Sequence, residues 1–448
     1  MNEDKENGKE NGSTVTPMQI LEEALELCKF GRFNFKLMFA TLLAVFSYTS
    51  VTTTSSYILP SAECDLNMSI MQKGLLNAMP FVGQVGAALF TGFITDAFGR
   101  KIFLVWGHVG MFLCNIIEGT SQTYWMLLFG KLLDGIFISF TFSATAVMVT
   151  EFTHKGVRDR VLMVYSSFMS FSLVLCALVA WGLLPRPWDF IISEGYFEFH
   201  SWNIYLYVSS ISSLAAALMY WHLPESPKFL LTLGRETEAL DVIKRIYHEN
   251  SGQPKDSFHD YMDHHMHTHV AAHAEGGRGR RCQEHSLRYS SLRLWFPQLS
   301  TIVENFQSKH GGETSEFCIM IDGYTSELAR NVSLAAENSV ADICVPHPSG
   351  QDTYINGIIL GVFSGVLIGI SSSLVDILGQ KPLMTLALSF NIMIGRIGSL
   401  VGSVLFPVML QGGCMVPFIS LSIITLCVAA LVYFLPNPSK QNSGTGDK

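Results

Sequence analysis

Charge is scarce in this chain. Only 15% of its 448 residues are Asp, Glu, Lys or Arg and the mean hydropathy is positive, which argues against an ordinary globular protein of this length. The net charge of -8 leaves no footprint for nucleic acid, so no such partner is expected. Nine cysteines are scattered with no C-x-x-C pair, and there is no nucleophile elbow, P-loop or zinc-protease signature. The chain therefore reads as not an enzyme, with no cofactor and no metal site. No cleavable signal peptide is evident, because the first apolar run begins too far in. The first positions, to about Thr16, are polar and read as disordered.

What the chain does have is a pattern that occurs twice. Gly92-x3-Asp96-x2-Gly99-Arg100-Lys101 returns as Ser372-x3-Asp376-x2-Gly379-Gln380-Lys381 with the same spacing. Each copy lies between two long apolar segments. Glycine permits the tight turn, aspartate can pair with a basic residue at a neighbouring helix end, and the basic group holds the loop on the cytoplasmic side. Two copies in two halves indicate internal duplication, the construction of many secondary transporters.

Before the membrane, Thr16-Pro17-Met18-Gln19 reads as a capping box, with Leu21, Leu25 and Cys28 on one helix face and Gly31 as the stop. That helix is read as interfacial or as a partner-binding motif. Six apolar segments follow at about 35–58, 74–95, 102–120, 123–150, 160–184 and 203–223, each close to the roughly 20 residues a bilayer requires. Short loops rich in Arg100, Lys101, Lys155, Arg158 and Arg160 alternate with loops carrying only Lys73 and Arg186, which predicts a cytoplasmic amino terminus. Asn67-Met68-Ser69 is a glycosylation sequon in the first outward loop. After span 6 come Pro224-Glu225-Ser226-Pro227-Lys228 and an amphipathic stretch marked by Leu240, Ile243 and Ile246. His259, His264, His265, His267, His269 and His273 follow in a polar loop without the spacing of a tetrahedral site, so metal binding and a plain loop both remain open.

The second half is shorter. Span 7 shows only about 291–304, preceded by residues too polar to complete it. An outward loop carries a second sequon at Asn331 and a candidate disulfide between Cys318 and Cys344. Span 8, about 354–374, has Gly357, Gly361, Gly365 and Gly369 on one face, for close helix approach. A single apolar stretch covers 383–411, and 414–434 closes the membrane part. Fifty residues separate Lys101 from Glu151 in the first half, but only 15 separate Lys381 from Arg396 in the second. Two spans are missing by internal comparison, giving about 10 instead of 12.

The two loop motifs, Glu151-x6-Arg158 and the Pro-Glu-Ser-Pro-Lys stretch together resemble the major facilitator superfamily, in its sugar-porter and organic-ion branches. Leu59-Pro60-Ser61-Ala62-Glu63, Phe199-His200-Ser201-Trp202 and Trp295-Phe296-Pro297 are similar to the synaptic vesicle glycoprotein 2 family. The resemblance implies an all-α multi-pass membrane fold of two pseudo-repeated helical bundles around a cavity that opens alternately to either side. It divides the chain into a cytoplasmic tail with a short helix (1–34), a six-span bundle (35–223), a cytoplasmic loop (224–290), an incomplete second bundle (291–436) with an outward loop at 305–353, and a tail (437–448). It also implies a latch, with Gly92, Asp96, Gly99, Arg100, Lys101, Glu151 and Arg158 in the first half and Asp376, Gly379 and Lys381 in the second. Glu151 would pair with Arg158 or Arg100, and breaking the latch would bias a two-state equilibrium.

For the cavity, ionisable groups within spans are the first candidates. Lys131 and Asp134, at i and i+3, either serve the cavity or neutralise each other. Glu118, at the end of span 3, reads as solvated. Arg396 in Gly395-Arg396-Ile397-Gly398-Ser399 either faces the cavity and attracts anions or snorkels to the surface. Trp181, Trp295 and Phe296 match cavity aromatics of the synaptic vesicle family or form an interfacial belt. Gln84 is a further polar candidate. Span 1 offers Ser47, Thr49, Ser50 and Thr52 to Thr54 but no proton-coupling carboxylate. Three functions compete: a carrier of a small organic solute with a candidate coupling ion in a plasma or vesicle membrane, a non-transporting membrane glycoprotein with a receptor or trafficking role, or an inactive truncated isoform.

Overall fold

The computed structural model describes residues 17–193, 197–258, 286–309, 317–321, 323, 349–378, 384–411, 415–420 and 422–423. A short helix α1 (Pro17–Leu27) leads into six long ones: α2 (Arg32–Ala62), α3 (Ile70–Phe98), α4 (Arg100–Gly119), α5 (Tyr124–Glu151), α6 (Lys155–Leu183) and α7 (Ser201–His222). Each begins or ends within a few residues of its expected boundary. Two short helices, α8 (Pro227–Thr232) and α9 (Glu236–Ser251), follow, and then α10 (Ser286–Lys309), α11 (Gln351–Leu378) and α12 (Met384–Gln411).

Five of the described helices, α2 and α4 to α7, are long and apolar enough to cross a membrane. Their outer faces carry large apolar side chains such as Phe39, Trp106, Trp125, Phe129 and Trp221, the arrangement expected where lipid replaces water. A two-stranded antiparallel hairpin, β1 (Phe190–Ser193) with β2 (Phe197–Phe199), interrupts the loop between α6 and α7. Hydropathy gave no sign of it.

The expected short span 7 is a helix of 24 residues, α10. Its polar first turns continue the helix, so its length is about 36 Å at 1.5 Å per residue. The stretch at 383–411 forms one uninterrupted helix, α12, as expected.

Glycine sets how closely the helices cross. A Cβ on Gly135 of α5 would collide with the Pro80 carbonyl of α3, and one on Gly83 with the Leu132 carbonyl. The two backbones therefore touch at a crossing only glycine allows.

The second half leans on the first. α11 lies along α6, α12 lies along α3, and α10 sits against α12, α2 and α11. The glycine row on α11 explains the first of these contacts. A Cβ on Gly361 would stand 2.8 Å from Val174 Cγ2, and one on Gly365 3.3 Å from Ser170 Cβ. At the other contact a Cβ on Gly74 would meet Pro407 Cγ at 2.6 Å. α6 thus pairs with α11, and α3 with α12.

Candidate functional site

Two places in the fold carry the expected chemistry: one end of the first bundle, and the seam between the halves.

At the first, helix ends and the short helices converge. Gly99 joins α3 to α4 with φ +97°, and a Cβ there would lie 2.6 Å from Glu225 Oε2. Both facts demand glycine. Glu225, just before α8, accepts the backbone N–H of Arg100 at 3.3 Å and of Lys101 at 3.1 Å. It thereby caps the start of α4, where unpaired N–H groups and the helix dipole favour a carboxylate. The Arg100 guanidinium lies 3.3 Å from Glu151 Oε1 and 4.9 Å from the centroid of the Phe229 ring. Of the two pairings expected for Glu151, the structure records the one with Arg100.

Arg158 turns elsewhere. Its Nη2 donates to Glu22 Oε1 of α1 at 2.7 Å and to the Thr153 carbonyl at 3.0 Å. Lys228 of α8 donates to the same Glu22 oxygen at 2.7 Å. Burial pushes the Glu22 carboxyl up, but Lys228 and Arg158 outweigh it and hold the group below its ordinary value. Leu21, Leu25 and Cys28 are buried as the sequence pattern predicts, and α1 contacts α8, α9 and α6. Burial also pushes the Cys28 thiol up to about 12. Ile243 and Ile246 of α9 complete this apolar cluster with Phe33 and Phe152. The amphipathic stretch thus closes the same end of the bundle as the loop motif. The side chains of Gly92, Asp96 and Asp376, and all of Gly379 and Lys381, lie outside the described residues. So do the histidine cluster and Thr16.

At the seam, Thr53, Ser56 and Tyr57 of α2, Leu173 and Cys176 of α6, Phe296 and Pro297 of α10 and Gly357, Leu360 and Gly361 of α11 line a cavity of about 30 Å³. That space admits water and is too small for a sugar-sized solute. Phe296 is in the lining. Trp295 is not. It is 2% exposed and stacks on Phe406 at 5.3 Å in a separate apolar cluster of the second half. Trp181 is 37% exposed on α6, the position of a lipid-facing or interfacial side chain. Gln84 is buried on α3, and its Nε2 meets no acceptor among the described residues. The Arg396 side chain lies outside the described residues. The span 1 hydroxyls of Thr52, Thr53 and Thr54 donate to carbonyls three or four residues back, which leaves the lining less polar than its composition suggests.

Lys131 and Asp134 are fully buried within the first bundle, away from that lining. Lys131 Nζ lies 2.6 Å from Glu118 Oε2. The reading of Glu118 as solvated is therefore corrected: it is 0% exposed, because α5 and α7 close over the last turn of α4. Proximity in sequence paired Lys131 with Asp134, whereas the fold brings Lys131 to an acid on another helix. The sequence also gave no role to Glu22 or Glu225. The Pro-Glu-Ser-Pro string flagged the position of Glu225, but nothing local identified its partner 125 residues earlier.

At the opposite end, Asn67 is exposed with φ 47°, in the turn between α2 and α3, and Ser69 caps α3. Cys318 is disulfide-bonded, as is Cys64, which the sequence reading left unassigned. Cys344 and Asn331 lie outside the described residues.

This arrangement of alternating long helices in two halves, meeting at a seam, defines a multi-pass membrane protein of the major facilitator type. The comparisons with known proteins agree. The family model described as sugar (and other) transporter matches residues 30–306, more than half of the chain, and the chain belongs to that family. It is 28% identical over 241 residues to rat synaptic vesicle glycoprotein 2B, covering 53% of this chain and 35% of that protein. It is 30% identical over 248 residues to human synaptic vesicle glycoprotein 2A, covering 54% of this chain and 33% of that protein. The matched part thus spans about a third of those relatives' length. Among solved structures, the xylose transporter XylE from E. coli in a partially occluded inward-open conformation aligns with a TM-score of 0.57 at 13% identity, over 91% of this chain and all of that one. At that identity the likeness concerns the fold.

Proposed function

We propose that the chain is a carrier that moves a small organic solute across a membrane by alternating access. The observation that carries this reading is the seam: a small cavity lined from both halves, with a latch of Gly99, Arg100, Lys101, Glu151 and Glu225 at one end. Family membership and the transporter named in the solved relative support it. The lining offers Ser56, Tyr57 and the aromatic face of Phe296, which suits a compact hydroxylated solute, as in the xylose transporter. The latch end faces the cytoplasm in this reading, because it gathers the basic loops, and Asn67 faces the outside or a vesicle lumen. Opening requires Arg100 to leave Glu151 and the α11 glycine row to separate from α6.

A second reading, a membrane glycoprotein that does not transport, is favoured by the single helix α12 where two further spans would be expected, and by the names of the vesicle relatives. One experiment separates them. Asn67 and Asn331 are tested for glycosylation in microsomes with a protease-accessible tag after Lys448, followed by pentose and hexose uptake in proteoliposomes. The carrier reading expects both sequons modified, the tag cytoplasmic, and saturable uptake reduced in Arg396→Ala and Asp96→Asn. An unmodified Asn331, a tag on the outer side, or no uptake from a correctly inserted chain overturns it.

A further inference from the structure

Away from the seam, five side chains on three helices form a buried polar cluster in the first bundle. Lys131 of α5 reaches Glu118 Oε2 of α4 at 2.6 Å and donates to Thr54 Oγ1 of α2 at 2.9 Å. Asp134, one turn further along α5, accepts from Asn115 Nδ2 of α4 at 3.0 Å. Asn115 and Glu118 lie one turn apart on α4, as Lys131 and Asp134 do on α5, so both carboxyl groups belong to one cluster. Lys131, Glu118, Asp134 and Asn115 are all 0% exposed. Glu118 Oε1 and Asp134 Oδ1 find no donor among the described residues.

The charges do not balance. Two carboxylates face one ammonium, which leaves one negative charge in a buried, membrane-embedded site where each unpaired ion costs several kcal/mol. Two ionised carboxylates also leave Glu118 Oε1 and Asp134 Oδ1 buried without a donor, since a carboxylate can only accept. A single added proton removes both difficulties. It neutralises the cluster and supplies the missing donor.

Among the described residues, no other free base faces the cluster. On α4, the His108 ring is engaged with the Leu104 carbonyl at 2.6 Å. On α3, Lys73 is taken by Glu63, just past the end of α2, at 2.7 Å. From α7, the Tyr207 ring packs near Gly119, and Tyr205 is buried among other phenols.

We infer that Glu118 and Asp134 jointly bind one proton beside Lys131, forming a proton site on spans 3 and 4 that replaces a span 1 carboxylate. Thr54 lies eight residues from the end of α2, so the site is about 12 Å from the hairpin end of the bundle, at 1.5 Å per residue. A proton reaches it from that side without crossing the seam. Its service in coupling rests on the carrier reading; the presence of the proton does not.

The test is infrared spectroscopy of the purified full chain in lipid nanodiscs at about pH 7, where an ordinary carboxyl group is ionised. The wild type is expected to show a protonated-carboxyl C=O stretch. Glu118→Gln and Asp134→Asn each leave one acid against one ammonium, so each abolishes the band. Lys131→Gln leaves two acids without a base and strengthens it. Absence of the band in the wild type overturns the proposal, whatever the variants' ability to fold. A band that survives either acid substitution overturns it as well. The readout needs no transported solute, so a failed uptake assay and a failed proton site are told apart.

Discussion

The two halves of this protein are held together by different means. In the first, buried polar groups pair across helices as charges and strong donors: Lys131 with Glu118, Lys73 with Glu63, Asn115 with Asp134, and Ser47 with Ser213 at 2.7 Å. In the second, the described cross-links join mostly hydroxyls, with Thr301 to Ser349 at 2.8 Å and Thr301 to Thr353 at 3.3 Å. Its long helices α11 and α12 find their main partners in α6 and α3 of the other half. Among the described residues the first half packs as a bundle, while the second has one small apolar cluster of its own and otherwise leans on the seam. A seam that must open and close in a carrier is here also what supports the shorter half.

The largest expected effect comes from breaking the first half at its tightest crossing. Gly135→Leu drives a side chain into the Pro80 backbone, and overpacking of this kind costs about 1–3 kcal/mol or more. Thermal unfolding in detergent should show loss of the whole molecule. Gly361→Leu, which meets Val174, should instead undock the second half and leave a protease-resistant first half. Equal damage from both substitutions would refute the asymmetry.

Next in size is the clamp on α1. Glu22→Ala leaves Arg158 and Lys228 side by side without their shared carboxylate. Hydrogen bonds to charged groups contribute about 1.5–3 kcal/mol, so release of α1 should become roughly tenfold more frequent. Maleimide labelling of the buried Cys28, mapped by peptide, reads that release. An unchanged rate would mean that apolar burial alone holds the helix.

The same clamp should respond to acid. The Glu22 carboxyl is held below its ordinary value, so its contribution is complete above the ordinary carboxylate range and is lost as pH falls through the lowered value. A spin label at Met18, on the exposed face of α1, should stay immobile at neutral pH and gain mobility only once pH falls below the ordinary carboxylate range. Mobility rising with increasing pH would contradict the sign.

The smallest effect is expected at Lys36. It pairs with Glu249 at 2.7 Å but is 59% exposed, and surface pairs contribute about 0–1 kcal/mol. Lys36→Ala should leave thermal stability nearly unchanged, and a large loss would show that α9 depends on this contact more than on Ile243 and Ile246.

The sequence by itself determined the membrane class, the boundaries of the first six long helices within a few residues and the single helix over 384–411. These follow from hydropathy, helix length and glycine spacing, all local quantities. It also placed Leu21, Leu25 and Cys28 on one face, because a 3.6-residue period fixes faces without reference to partners. Only the tertiary structure decided who pairs with whom. Arg100 took Glu151, Arg158 went to Glu22, and Lys131 passed over its neighbour Asp134 for Glu118. Trp295, alike in sequence to a cavity aromatic, turned into the core beside Phe406. The physical reason is that a buried charge or ring is satisfied by whatever the helix packing brings within a few ångströms, and that packing joins residues far apart in the chain.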